Sequence, residues 1–181
     1  MIKLSLCNYI AGAGKDTVAQ YLVEEHGFKA YALADGIYEI AEKYFGMQIK
    51  DRDLLWHIGE KLREYDIMLW INHTMKRIQE DGHDRVVITD TRKLLEYAYL
   101  KEAGWENVMV YVDPEIAIER LKNRDGKVDV EKVMNSPLEN QLRPLKDSMK
   151  VIENDIDFEE VKKEIDAYVR FLEESSFPKV G

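Results

Sequence analysis

Residues 2–17 of the chain read IKLSLCNYIAGAGKDT, which places a glycine-rich turn and a lysine directly after an apolar run. The run predicts a buried strand, and Val18 and Leu22 continue the chain at helical spacing. A strand, a glycine turn, a lysine and a helix in this order are the context of a phosphate-binding loop. In such a loop, backbone N–H groups and the helix N-terminus converge on phosphate oxygens that the lysine also reaches. We therefore predict that a nucleotide's phosphates are bound by Gly12, Ala13, Gly14, Lys15, Asp16 and Thr17.

The match to the pattern G-x-x-x-x-G-K-[ST] is incomplete. Tyr9 stands in the place of the first glycine, and Asp16 stands in the place of the hydroxyl residue that usually binds Mg²⁺. Thr17 follows one position late. The alternative interpretation is a glycine-rich strand-to-helix turn with a solvated lysine. The motif by itself predicts a nucleotide and leaves the reaction open.

The charge of the chain limits what it can bind. Its 181 residues include 26 Lys+Arg and 35 Asp+Glu, so the formal net charge is -9. This sign disfavours binding along a nucleic-acid backbone, and we expect no nucleic-acid polymer among the partners. The phosphates of a small ligand must then meet a local positive site.

The compartment is predicted from the cysteine count and the N-terminus. The single cysteine, Cys7, cannot form an intrachain disulfide, and residues 2–10 are interrupted by Lys3, Ser5 and Asn8 and lack the layout of a signal peptide. With 45% hydrophobic and 34% charged residues, the composition is that of a compact soluble protein. We expect a cytoplasmic protein without a membrane partner, either a monomer or a homodimer.

Short apolar runs alternate with longer helical patterns along the chain. The predicted strands lie at residues 2–7, 28–33, 86–88, 108–112 and 150–152. Alternation of this kind predicts an α/β fold with a parallel sheet. Asp113 and Pro114 start a helix after the fourth strand, and this helix should end near Asp125. Asp157 caps the last helix, with Glu160 three residues on.

Two segments depart from this alternation. Residues 35–83 show three helical periods and no strand pattern, which predicts a helical insertion. Residues 126–146 are polar, and Ser136-Pro137-Leu138-Glu139 is a capping box with proline at the first helical position, which predicts a small helical flap. We therefore predict a single domain whose core comprises residues 1–34, 84–125 and 147–174.

Further motifs follow the phosphate loop in order. Residues 28–45 contain Ala34-Asp35 after the second strand, residues 55–70 contain Ile58-Gly59, Arg63, Asp66 and Trp70, and residues 86–92 end in Asp90-Thr91-Arg92. Together with Lys15-Asp16-Thr17, these motifs resemble those of the P-loop nucleoside monophosphate kinases, and most closely the deoxynucleoside monophosphate kinases of tailed bacteriophages. The resemblance covers most of the chain, and Asp16 is usual at its position in that group. Departures occur at Tyr38, where the group often has Lys, at Lys93, where Phe is usual, and in the flap, where only Glu139 of a Ser-Glu pair matches.

The resemblance implies both a fold and a reaction. The implied fold is the three-layer P-loop NTPase fold, with a five-stranded parallel sheet in the order 2-3-1-4-5. Residues 35–83 would bind the acceptor, and residues 126–146 would close as a lid. The implied reaction transfers a phosphoryl group from ATP, with Mg²⁺, to a (deoxy)nucleoside monophosphate, which gives ADP and the diphosphate.

Phosphoryl transfer between two nucleotides requires two anions held in line and neutralisation of the charge on the moving group. Arg92, near the carboxyl end of the third strand, is predicted to clamp the acceptor's phosphate, and Arg63 to supply a second fork. Arg120 and Arg124, one helical turn apart, are predicted to contact the phosphates of ATP, with Arg143 arriving as the flap closes. The predicted catalytic residues are Lys15, Arg92 and Arg120. The predicted Mg²⁺ ligands, direct or through water, are Asp90 and Asp16. The predicted substrate contacts are Asp35, Tyr38, Arg63, Trp70, Asp90, Arg92 and Glu139.

Several residues also have a purely structural interpretation. Arg124 can complement the negative end of its helix, and Arg63 can form a surface ion pair with nearby glutamates. Trp70 falls on an apolar stripe and can belong to the core, and Asp35 can be a helix cap. For the function, the alternatives are another small-molecule kinase of this fold, such as a dephospho-coenzyme A kinase, and a non-catalytic nucleotide-binding protein.

Overall fold

The structure, a computed structural model, describes residues 1–155 and 157–176, apart from the side chains of Glu139 and Ser176. Five strands form one parallel sheet in the order β2-β3-β1-β4-β5, which confirms the predicted fold class and strand order. The strands are β1 Ile2–Cys7, β2 Lys29–Tyr31, β3 Arg85–Thr91, β4 Glu106–Tyr111 and β5 Lys150–Glu153. Because β1 lies between β3 and β4, the loop that follows β1 leaves the sheet at the middle of its carboxyl edge.

Helices connect the strands, and four of the eight described helices follow an aspartate whose side chain accepts a backbone N–H of the first turn. They are α1 Lys15–His26, α2 Asp35–Phe45, α3 Arg52–Tyr65, α4 Leu69–Asp81, α5 Leu94–Glu102, α6 Pro114–Asp125, α7 Val130–Met134 and α8 Phe158–Ser176. As predicted, Asp113 accepts a hydrogen bond from the Glu115 backbone N–H at 2.8 Å, and Pro114 is the first residue of α6. Asp157 accepts one from the Glu159 N–H at 3.3 Å at the start of α8. Among the described residues, no helix is both long and apolar enough to cross a bilayer.

The chain divides into two compact units, of which the larger contains residues 1–30 and the described residues from 84 onwards. Its core is the apolar sheet covered by helices. Val108, Met109 and Val110 of β4 are at most 1% exposed, as expected of a central strand covered on both faces. The buried stripe of α8 comprises Val161, Ile165, Val169 and Leu172.

The smaller unit, residues 31–83, contains α2, α3 and α4. Its own core is formed by Ile37, Ala41, Ile58 and Trp70, one or more from each helix. The three predicted helical periods therefore correspond to three helices.

Residues 126–146 form short helical pieces, but the predicted capping box at Ser136 does not start an α-helix. After α7, the chain forms a turn at residues 137–138 and then two 3-10 helices, Glu139–Gln141 and Arg143–Ser148. Pro144 lacks the N–H that an α-helix continuing from Pro137 would need, which accounts for the tighter, interrupted winding. Leu142, between the two 3-10 helices, is fully buried in the core of the larger unit.

Candidate functional site

The loop between β1 and α1 is curled by two glycines in the left-handed region, Gly12 with φ 87° and Gly14 with φ 81°. Close packing requires glycine at the same two positions. A β-carbon at Gly12 would lie 2.8 Å from the carbonyl oxygen of Ala117 in α6, and one at Gly14 would overlap the side-chain amide of Asn154. The left-handed turns and the start of α1 produce the backbone concavity in which anions bind.

Lys15 is the first residue of α1, and only 7% of it is exposed. Its ammonium donates a hydrogen bond to the carbonyl oxygen of Thr89 near the end of β3, and lies 3.3 Å from the Asp16 carboxylate. The Asp16 side chain itself is 96% exposed. The lysine charge therefore lies where the glycine loop meets the carboxyl end of β3.

A bulge interrupts the pairing of β1 with β3 at this point. Ser5 is paired with Ile88 and Cys7 with Thr91, so Thr89 and Asp90 together lie opposite a single residue of β1. The Thr89 carbonyl that accepts the Lys15 hydrogen bond lies in this bulge, and Asp90, partly exposed, follows it. Bulges often redirect side chains next to active sites.

The backbone around Arg92 is held by Glu96, a residue that the sequence interpretation did not include. The backbone N–H groups of Arg92 and Lys93 both donate to Glu96 Oε2 at 2.9 Å, and Glu96 is only 6% exposed. Glu96 is the third residue of α5, the position at which a glutamate reaches back to the helix start. A glutamate at the third position of a helix is the sequence signal by which Glu96 could have been identified.

The two arginines of α6 have different partners. Arg120 donates from Nη2 to the backbone carbonyl of Asn154, just beyond β5, at 2.7 Å. Arg124 instead makes a two-pronged pair with Asp125, with both N–O distances 2.7 Å. Hydrogen bonding to Asp125 raises the Arg124 pKa, and the charge of Asp16 adds to this effect. The structure thus places Arg120 beside the loop and pairs Arg124 with its chain neighbour.

Asn154 is a second residue missing from the sequence interpretation. It is 5% exposed, and its side-chain Nδ2 donates to the carbonyl of Ala13 in the loop at 2.8 Å. Its backbone N–H donates to the Tyr111 carbonyl at the end of β4, also at 2.8 Å. The signal was its place directly after a predicted strand, at the sheet edge where ligands bind.

Two cations of the segment 126–146 lie over aromatic rings next to the loop. The guanidinium carbon of Arg143 is 5.6 Å from the centroid of the Tyr9 ring, and Lys146 Nζ is 3.3 Å from that of Tyr111. The Tyr9 hydroxyl donates to the Val112 carbonyl at 2.9 Å, which fixes the ring. Burial raises the pKa of that hydroxyl, so it remains a donor at neutral pH. Tyr9, which stands in the place of a motif glycine, thus holds this segment.

The same segment also contacts the start of α5. Gln141 Oε1 accepts a hydrogen bond from the Leu94 backbone N–H at 3.0 Å. Glu139 belongs to the same 3-10 turn, but its side chain lies outside the described part of the structure.

In the smaller unit, the predicted acceptor contact Asp35 is already paired. Its Oδ2 accepts a hydrogen bond from the Ala32 backbone N–H at 3.1 Å and lies 3.2 Å from Arg77 Nη1. Arg77, on α4, lies 42 residues away in the sequence, and no local pattern indicates this pair.

Within the smaller unit, the predicted contacts Arg63, Trp70 and Tyr38 also have partners. Arg63 Nη1 lies 2.6 Å from Glu60 Oε1, one turn earlier on α3. Trp70 is 4% exposed, packs in the unit's core and donates from Nε1 to the Gly59 carbonyl at 3.1 Å. The Tyr38 ring lies 5.5 Å from Lys50 Nζ.

The oxygen ligands around Lys15 are compatible with Mg²⁺. The described residues contain no group of three or more His, Cys, Asp or Glu side chains that could hold a metal by themselves. Magnesium in nucleotide sites usually takes one or two carboxylates together with water and substrate phosphates. Asp16 lies beside Lys15, and Asp90 follows the Lys15 acceptor Thr89 in the chain, so these two are the candidates for such carboxylates.

Comparison with known families and structures places this site in context. The family model described as an AAA domain matches residues 10–139, which include the phosphate loop, Arg92 and Arg120. No curated protein sequence matches the chain.

Solved structures share the fold over nearly the whole chain. A gluconokinase from Sinorhizobium meliloti 1021 has a TM-score of 0.61 at 16% identity, covering 97% of this chain and 98% of that one. A sugar kinase from Janibacter sp. HTCC2649 has a TM-score of 0.56 at 17% identity, covering 94% and 95%. A protein from Thermus thermophilus has a TM-score of 0.56 at 19% identity, covering 94% and 97%. At these identities the likeness shows the fold alone, and it confirms the P-loop NTPase fold of the kinase type.

Proposed function

Because the chain belongs to the AAA domain family, we propose that it is an ATP-dependent kinase that converts a (deoxy)nucleoside monophosphate to the diphosphate. The observation that carries the proposal is the position of Lys15, between the glycine loop and the end of β3, where Asp90 and Arg92 follow. Kinase names among the similar structures support a small-molecule phosphotransferase. The nucleotide acceptor rests on the motif resemblance.

The donor's phosphates would bind in the loop between β1 and α1. Backbone N–H groups of the loop and of the first turn of α1 would hold the β- and γ-phosphates of ATP, and Lys15 would exchange the Thr89 carbonyl for a phosphate oxygen. Bound Mg²⁺ would neutralise charge on the β- and γ-phosphates, held by Asp16 and Asp90 directly or through water. Without a metal ion, these carboxylates would be repelled by the negative charge of the triphosphate.

Three cationic side chains would then stabilise the transferring phosphoryl group. Lys15 and Arg120 lie on the donor side, and Arg92 would clamp the phosphate of the acceptor. Arg124 and Arg143 would join as residues 126–146 close over ATP. In that movement Arg124 would leave Asp125, and Arg143 would leave the Tyr9 ring, to contact phosphate oxygens. Closure would also exclude water from the site, which suppresses hydrolysis of ATP.

The smaller unit would bind the rest of the acceptor. The proposed contacts are Asp35, Tyr38, Arg63 and Trp70, together with Asp90 and Glu139 of the larger unit. The base and the sugar of the acceptor are left open by these residues.

Asp35 is a residue on which a phosphate acceptor and a hydroxyl acceptor can make different demands. A hydroxyl group must lose a proton as it attacks, and an available carboxylate is the usual general base. A nucleotide's phosphate is already ionised at neutral pH and needs no base. In the structure Asp35 Oδ2 already accepts the Ala32 N–H and lies 3.2 Å from Arg77 Nη1, as in a carboxylate that holds structure.

A hydroxyl acceptor is the second candidate, because two of the similar structures are a gluconokinase and a sugar kinase. ADP release from ATP and Mg²⁺ should be measured with ribo- and deoxynucleoside monophosphates, gluconate and dephospho-coenzyme A in parallel. We expect turnover with at least one deoxynucleoside monophosphate. Turnover only with a hydroxyl compound would instead establish the second candidate. ATP binding without turnover on any acceptor would indicate a non-catalytic nucleotide-binding protein.

The variant Asp35→Asn tests whether Asp35 acts as a general base. For a phosphate acceptor, kcat should stay within about tenfold of wild type while KM for the acceptor rises, because only a contact is changed. Loss of a general base would lower kcat by about 10²–10⁴.

A further inference from the structure

Asn154 binds three parts of the larger unit at once. Its side chain donates to the Ala13 carbonyl in the loop, its backbone N–H donates to the Tyr111 carbonyl of β4, and its own carbonyl accepts from Arg120. We propose that Asn154 is a positioning residue that sets the backbone of the phosphate loop for ATP and aligns Arg120 with it. This inference rests on the proposed function to the extent that the loop binds the phosphates of ATP.

The hydrogen bond from Asn154 fixes the orientation of one peptide group of the loop. In a trans peptide the carbonyl and the N–H point in opposite directions. Because the Ala13 carbonyl points to Asn154 Nδ2, the N–H of Gly14 points away from Asn154. Gly14 is the N-cap of α1, so its N–H belongs to the set of donors that bind phosphate at a helix start. Asn154 therefore determines the direction of an N–H group that donates a hydrogen bond to phosphate, without itself contacting ATP.

The same side chain also fills the space beside Gly14. The overlap of a β-carbon there with Asn154 Nδ2 means that the amide packs directly against the glycine. Arg120 Nη1 lies 3.8 Å from the same β-carbon position. The loop, Asn154 and Arg120 thus form one packed contact, and a shift of Asn154 moves both phosphate-binding elements.

A second buried asparagine provides a matched control. Asn107 on β4 is 7% exposed, and its Nδ2 donates to the Trp105 carbonyl at 3.4 Å. It has a similar burial and also donates to a backbone carbonyl, but this bond is longer, its Oδ1 is buried without a hydrogen-bond partner, and its described hydrogen bond does not involve the loop. Replacing either asparagine by alanine removes one hydrogen bond of a buried amide, so Asn107→Ala reports the purely structural effect.

The first experiment measures the Kd of ATP, with Mg²⁺ and without any acceptor, together with thermal stability. We expect Asn154→Ala to bind ATP about tenfold or more weakly than wild type, which corresponds to one lost buried hydrogen bond. Asn107→Ala should bind ATP within about twofold of wild type. Equal ATP affinities of the two variants would overturn the inference.

The isosteric variant Asn154→Asp tests whether the donor or the shape matters. It keeps the volume of the side chain but presents an oxygen to the Ala13 carbonyl. We expect it to bind ATP at least as weakly as Asn154→Ala. Recovery of wild-type affinity in Asn154→Asp would show that the side chain only fills space, and would also refute the assigned role.

A double-mutant cycle with Gly14→Ala tests the packing contact. Gly14→Ala should weaken ATP binding less in an Asn154→Ala background than in wild type, because the overlap is relieved while the left-handed φ is unchanged. Gly27→Ala is the control, since Gly27 has a similar φ of 66° and no atom within 4 Å of its β-carbon position. Its effect should be the same in both backgrounds. Additive effects of Gly14→Ala and Asn154→Ala would contradict the contact.

These outcomes are distinct from a failure of the proposed function. If wild type binds no ATP, the proposed function is wrong. If wild type binds ATP and Asn154→Ala binds it equally well, the loop is a nucleotide site but Asn154 does not position it.

Discussion

The guanidinium carbon of Arg143 lies 5.6 Å from the centroid of the Tyr9 ring. Tyr9 takes the position of a motif glycine at the start of the loop, so the residue that departs from the common pattern is also the one whose ring contacts Arg143. A cation over an aromatic face contributes about 0.5–1 kcal/mol at an exposed site.

The first prediction concerns this ring. Tyr9→Leu should increase hydrogen exchange of the amides in residues 139–146, because Arg143 loses the ring face. Tyr9→Phe keeps the face and loses only the hydroxyl bond to Val112, so it should lower Tm by about 2–4 °C and leave that exchange unchanged. If both variants give the same exchange, the ring does not hold the segment.

The second prediction concerns the charge of Lys15. Lys15→Ala should lower kcat at least a hundredfold, which is the order expected on removing a charge that stabilises the transition state. Lys3→Ala is the matched control, since Lys3 also donates to a backbone carbonyl, that of Ala103, but lies near the amino end of β1, whereas the loop follows the carboxyl end. Steady-state kinetics with a saturating acceptor measures both. Unchanged activity in Lys15→Ala would refute the mechanism.

The third prediction concerns Glu96, which accepts the backbone N–H groups of Arg92 and Lys93. Glu96→Ala should raise KM for the acceptor about tenfold and leave KM for ATP unchanged, because Arg92 is proposed to hold only the acceptor. Loss of this cap should also cost about 0.5–2 kcal/mol of stability. Glu102→Ala, at the exposed end of the same helix, is the control. Parallel increases in both KM values would contradict the assignment of Arg92.

The fourth prediction concerns pH and Cys7. Burial raises the pKa of the Cys7 thiol from 9.0 to about 12. The folded protein should therefore not react with thiol reagents near neutral pH, and one equivalent should react after denaturation. Because the unfolded chain loses this proton first, the thiol's contribution to stability is constant below about pH 9 and falls as the pH rises from there towards about 12. Cys7→Ala should reduce the fall in unfolding free energy between about pH 7 and about pH 10, and an unchanged fall would contradict the shift.

Sequence patterns predicted the elements of the fold because those patterns are local. The run from β1 to Lys15 and the alternation of strands and helices depend on neighbours in the chain. The strand order 2-3-1-4-5, in contrast, was expected from the family resemblance. Glu96 and Asn154 were missed for different reasons. Glu96 acts within its own helix start, where Lys93 obscured the usual capping pattern, whereas Asn154 acts across 141 residues and becomes visible only when β5 lies in the sheet.

The interrupted winding of residues 137–148 shows the limit of a local signal. Ser136-Pro137-Leu138-Glu139 predicts the start of an α-helix, but Pro144 and the buried Leu142 allow only two short 3-10 turns. A cap selects where a helix begins, and residues further along decide whether it continues.

The hydrogen bond from Asn154 to the Ala13 carbonyl also has a consequence for the order in which the nucleotide site forms during synthesis of the protein. A ribosome-bound chain that has exposed only its first half presents the glycines and Lys15, but not the asparagine that orients their peptide groups. ATP affinity should therefore appear late in translation, once β5 has joined β4, and a nascent chain shorter than that should gain little protection from the nucleotide.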